Sequence, residues 1–128
     1  MLGKANLLFV FIVAICMLLP ASVSGASEPV SFSQQVYPII ATHCLDCHKT
    51  GAEGFEKSGL NLETYEGLMT GTKFGPIIVP GDAFMSNFNA IVEGRTDPSI
   101  QMPFHGEKLR RLVIDILHRW VDQGALNN

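Results

Sequence analysis

Cys44-Leu45-Asp46-Cys47-His48 is the stretch on which the reading of this chain turns. Two thiols spaced three positions apart share a face of a helical turn, and an imidazole follows at once. Cys-x-x-Cys-His is the attachment pattern of c-type haem. On that spacing both thiols reach the vinyl groups on one edge of a porphyrin, and the next side chain swings to the iron. Cys44 and Cys47 are the candidate thioether anchors, and His48 is the candidate proximal ligand. Two rival readings of the thiols stay open here. A thioredoxin-type redox pair wants a βαβ setting. A zinc site wants four ligands, and no second Cys/His pair stands downstream.

On the N-terminal side, Lys4 precedes an unbroken apolar run from Leu7 to Leu19. Pro20 breaks the run, and Ala21, Ser22, Val23, Ser24, Gly25 and Ala26 follow. That order is the signature of a secretory signal peptide. The run is shorter than the roughly 20 apolar residues of a membrane-spanning helix. Residues 1–26 therefore read as a signal peptide cut after Ala26, with an uncleaved anchor as the alternative. Cys16 reads as filler of the apolar run. Export agrees with the motif, because c-type attachment takes place outside the cytoplasm.

The full chain has 128 residues and a net charge of −3. Without residues 1–26 it has 102 residues, loses Lys4 and no acid, and carries 8 − 12 = −4. That length allows one domain, and a nucleic-acid binder would carry a basic stripe that this chain lacks. A core this small gains much from a large apolar group to bury.

Apolar periodicity then predicts an all-α domain over 27–128. Ser31 or Ser33 caps a first helix with Phe32, Val36, Ile40 and Cys44 on one face, and Pro38 lies early in it. Lys49 to Ser58 reads as a loop. Thr64 to Met69 reads as a short helix closed by a left-handed Gly71. Phe74 to Asp82 reads as extended and turn-like. Ser86 caps a helix with Phe88, Ile91 and Val92 inward and Gly94 as its stop. Arg95 to Gly106 is a loop. Leu109, Leu112, Val113, Ile116, Leu117, Trp120 and Val121 form the stripe of a final helix ended by Gly124. Connections this long and rich in Gly and Pro need something to pack against.

A haem electron carrier closes the far side of its iron with Met or His. Met102 stands in Ile100-Gln101-Met102-Pro103-Phe104, 102 − 48 = 54 residues beyond His48. Pro103 biases Met102 towards extended backbone, as suits a thioether aimed inward from a strap. His105 is the rival ligand. Met69 and Met85 read as core filler, Trp120 as core, His43 and His118 as surface or boundary residues, and Arg95 as a solvated loop residue.

The ordered set resembles a small class I-type monohaem cytochrome c, and most closely the planctomycete-type cytochrome c domain. The matching pieces are Val36-Tyr37-Pro38-Ile39-Ile40, the Cys44–His48 motif, Ser58-Gly59-Leu60-Asn61-Leu62, Gly75-Pro76-Ile77-Ile78-Val79-Pro80-Gly81-Asp82 with Ser86, Gln101-Met102-Pro103, and Trp120-Val121-Asp122-Gln123-Gly124-Ala125. Phe104 takes the place of a second proline that the family often has. The resemblance implies a small helical domain wrapped around one covalent haem c per chain. In it Cys44 and Cys47 hold the haem, His48 is proximal and Met102 distal. It implies single-electron transfer in the periplasm or another extracytoplasmic space rather than enzyme catalysis. An acidic carrier implies protein redox partners with a basic docking face, no nucleic acid, and no membrane span after cleavage. The alternative is a haem sensor or peroxidase-like protein with a labile sixth ligand.

Overall fold

Ser31 opens the first helical segment. Its Oγ accepts the N–H of Gln34 at 3.2 Å, as an N-cap should. The segment begins as a wide π-type turn, Phe32–Val36, and tightens into α1, Tyr37–His43, with Pro38 in its first turn. Phe32, Val36 and Ile40 are buried, as their spacing predicts. The computed structural model describes residues 27–128; the expected signal peptide, 1–26, lies outside the described residues.

The predicted loop from Lys49 to Ser58 is corrected by the structure: it holds a second helix, α2, Glu53–Ser58, closed by Gly59 at φ +75°. The glycine and charge content hid it, because a six-residue helix has too few turns to show a stripe. α3 spans Tyr65–Thr70, and the Thr64 side chain accepts the Gly67 N–H at 3.0 Å. Gly71 has the expected positive φ, +83°, but its ψ of −142° takes it outside the left-handed helical region. A Cβ at Gly71 would lie 2.5 Å from the Gly75 carbonyl oxygen, so the tight Thr72–Gly75 turn requires glycine there.

After an extended stretch comes α4, Asn87–Glu93, ended by a left-handed Gly94. Ser86 precedes α4 but does not cap it with its side chain. Its hydroxyl accepts from the Val79 N–H and donates to the Asp82 carbonyl, both at 2.8 Å, and so staples the preceding turn. Phe88 and Val92 face inward as expected, joined by Asn89 and Ala90, whereas Ile91 is only half-buried. Met85, expected in the core, is exposed. A short 3-10 turn, Pro98–Ile100, interrupts the following loop.

The last helix, α5, spans Arg111–Asp122. Leu117, Trp120 and Val121 are buried, and each such side chain contributes about 1.5–3 kcal/mol by leaving water. Leu112 departs from the predicted stripe at 77% exposure, and Val113 and Ile116 are half-buried. Leu109, expected at the head of this helix, precedes it and is buried, and within α5 the fullest burial lies over the C-terminal half. There the first helical segment and α4 pack on α5. Phe32 lies edge-on to Tyr65 with ring centroids 5.2 Å apart, and 5.5 Å from Trp120. Trp120 donates its indole N–H to the Leu126 carbonyl at 3.0 Å. Among the described residues there is no strand, only the isolated Thr72–Gly75 bridge, and no helix is long and apolar enough to cross a membrane.

Candidate functional site

The motif sits where α1 ends. Cys44 still donates its N–H to the Ile40 carbonyl at 2.9 Å, but its φ of −129° leaves the helix. The chain then folds into one tight turn. The Cys44 carbonyl accepts the N–H of both Cys47 (3.2 Å) and His48 (3.1 Å). Cys44, Cys47 and His48 thus share one backbone turn, and neither thiol is in a disulfide.

Two clamps fix the turn from outside. The Cys47 carbonyl accepts the Phe55 N–H at 3.0 Å, which ties it to α2. The His48 carbonyl accepts the Leu62 N–H at 2.8 Å, which ties it to the strap before α3. Glu63 closes the loop behind the motif by accepting from the Thr50 hydroxyl, the Thr50 N–H and the Asn61 amide.

Burial pushes the Cys44 thiol up to about 11, with the neighbouring Cys47 adding to the rise. A redox-active Cys-x-x-Cys pair needs the opposite, a thiol depressed towards neutrality. Among the described residues no three His, Cys, Asp or Glu side chains gather as a cation site, so the zinc alternative finds no second pair of ligands.

His48 is buried, and its Nδ1 has no hydrogen-bond partner. Burial holds the imidazole below its ordinary value, against an opposing pull from the Leu60 backbone. The neutral ring this favours is the form that ligates a metal.

Met102 lies on the α4–α5 connection, with its N–H 3.4 Å from the Ile91 carbonyl. Met102 and Cys44 both pack against the same hydrophobic core. Met102 and His105 also line one open groove of about 400 Å³, and neither His48 nor the cysteines reach it. The structure thus brings Cys44 and Met102 to one core. His105 is exposed, with its ring centroid 4.0 Å from that of Phe104. The Glu53 carboxyl is held low first by Lys57, with His105 adding a little.

His118 is anchored rather than free: its Nδ1 is 2.7 Å from Glu93 and its Nε2 3.3 Å from Asp122. Arg95, expected to be solvated, is fixed at 2.6 Å from Glu93 and donates to the carbonyls of Phe84 and Ala83. His43 is on the surface and Trp120 in the core, as read.

Residues 44–104 match the family model described as planctomycete cytochrome C. The chain carries a planctomycete-type cytochrome c domain. The matched stretch of this cytochrome domain takes in the Cys-x-x-Cys-His turn, α2 to α4 and Met102. α1 and α5 lie outside it, although both build the core on which the motif rests. Neither a curated protein nor a solved structure matches the chain.

The residues present fit a covalent haem c. Two unpaired thiols share a turn with a buried imidazole whose Nδ1 lacks a partner. Elsewhere on the described surface Phe104 (53% exposed) and Leu112 (77%) remain uncovered by protein. Sequence reasoning missed α2 as the support of His48. The signal that could have found it is Gly59, a helix-ending glycine three residues before Leu62.

Proposed function

We propose that this domain is an extracytoplasmic carrier of single electrons built on one covalent haem c. Cys44 and Cys47 would hold the group through thioethers, and His48 would bind its iron from the proximal side. Bound haem c supplies a one-electron ferrous/ferric couple. The rest is the work of the chain. Clamped at both carbonyls, the Cys47–His48 segment keeps the imidazole from turning away. Met102 would supply the second protein ligand, and its thioether would favour the ferrous state relative to a second histidine. The acidic surface selects redox partners with a basic docking face, and that encounter weakens with salt. Residues 1–26 direct export, and the domain acts as an electron-transfer protein rather than as a catalyst.

The observation that carries this reading is the clamped Cys44–His48 turn with its buried, unpartnered imidazole. The test is made on protein expressed with cytochrome maturation machinery. After denaturation and acid-acetone extraction the colour should stay on the polypeptide. The ferric spectrum should be low-spin with the weak Met-to-iron band. Colourless protein overturns the haem reading. A high-spin spectrum that shifts with peroxide or carbon monoxide overturns the carrier reading in favour of a sensor or peroxidase-like protein.

A further inference from the structure

Gly54 lies in the first turn of α2 on ordinary helical backbone, where glycine costs stability relative to alanine. Neither a helix cap nor a left-handed backbone calls for it. What calls for it is the motif beneath. A Cβ on Gly54 would sit 2.6 Å from the Cys47 carbonyl oxygen, 3.1 Å from the carbon of that carbonyl, and 3.1 Å from Cε1 of His48. The closest of these atoms is backbone, and it cannot swing aside as a flexible side chain could. It is also the oxygen that accepts the Phe55 N–H at 3.0 Å, so the contact and the clamp are one piece of structure.

We propose that Gly54 is a positioning residue for the proximal histidine: its missing side chain lets the α2 backbone close on the Cys47 carbonyl and on the imidazole edge, and so sets the plane of the His48 ring. The proposal rests on His48 being the proximal ligand. The Cε1 edge of the ring lies where a side chain at position 54 would begin. An alanine at 54 must lift α2 from the motif or rotate the 47–48 peptide, and either movement turns the ring. An exposed position on the same helix, such as Glu56, has no such connection to His48.

The test uses the haem-loaded protein. The ferric proton NMR spectrum is read for its haem-methyl shift pattern, which reports the orientation of the ligand ring, and the reduction potential is read beside it. Gly54→Ala should reorder or spread the methyl resonances and move the potential, whereas Glu56→Ala should leave both as in the wild type. A Gly54→Ala spectrum superimposable on the wild type overturns the proposal. Should Gly54→Ala fail to load haem, the wild-type ferrous protein decides: a cross-relaxation peak between Gly54 Hα and His48 Hε1 upholds the contact, and its absence refutes it. His48→Ala separates the two layers of the argument. If its low-spin spectrum is unchanged, the ligand assignment falls and the proposal with it. If that spectrum changes while Gly54→Ala remains silent, only the positioning role falls.

Discussion

Glu93 ends α4 with a carboxylate only 13% exposed, and both of its oxygens are in use. One meets His118 Nδ1 at 2.7 Å on α5, and the other Arg95 Nε at 2.6 Å. Arg95 passes the connection on to the carbonyls of Phe84 and Ala83. One side chain thus ties α4, α5 and the turn before α4 together. Burial by itself would raise the Glu93 carboxyl, but hydrogen bonds from His118 and Arg95, helped by their charges, outweigh it and hold the group low. Glu93→Gln keeps the shape and one neutral acceptor, but points an amide N–H at a donor. A net hydrogen bond to a charged group contributes about 1.5–3 kcal/mol. Arg95 and His118 are about a third exposed, which screens part of that, so the variant should lose about 1–2 kcal/mol at neutral pH. For a domain of this size that is a fall in Tm of very roughly 4–16 °C.

The sign with pH follows from the direction of the shift. The folded carboxyl titrates below its ordinary 4.5, so its contribution is complete above 4.5 and fades as pH falls through the lowered folded value. Urea unfolding followed by fluorescence of Trp120, the chain's single tryptophan, measures the difference without adding salt. The gap between wild type and Glu93→Gln should be widest at neutral pH and narrow in acid. Equal midpoints at neutral pH, or a gap that widens on acidification, would refute the reasoning.

Met102→Ala should remove the Met-to-iron band and lower the potential, while His105→Ala leaves both unchanged; a wild-type spectrum that lacks the band and changes only in His105→Ala would assign the sixth position to His105. Leu117→Ala opens a hole at a site only 1% exposed and should cost about 2–5 kcal/mol in urea unfolding. Tyr65→Phe removes the hydroxyl that donates to the Ala125 carbonyl at 2.8 Å, and should cost about 1 kcal/mol in the same assay with the haem spectrum intact.

The parts of this molecule legible in its sequence are those whose causes lie close along the chain. The Cys44–His48 motif is contiguous, so its spacing alone brings two thiols and an imidazole onto one turn. Phe32, Val36 and Ile40 announce the first helix because residues four apart meet on a helix whatever surrounds it. Leu117, Trp120 and Val121 announce the last for the same reason. Local rules also place the cap at Ser31 and the stop at Gly94.

Where the cause lies across space, the chain alone could not tell. Gly54 looks like a loop glycine until α2 is seen pressed on the Cys47 carbonyl, since the reason for a missing side chain is a neighbour seven positions away. Ser86 looks like a cap, but Val79 and Asp82 take its hydroxyl. Leu112 carries the periodicity of a core residue and remains exposed, because periodicity chooses a face and only packing decides how far along the helix that face is covered. Arg95 reads as a free loop cation until the fold brings the Phe84 and Ala83 carbonyls to its guanidinium. Sequence determined which groups stand near one another along a turn; tertiary structure decided which of them are held, because burial and closure depend on surfaces that meet only when the chain has folded.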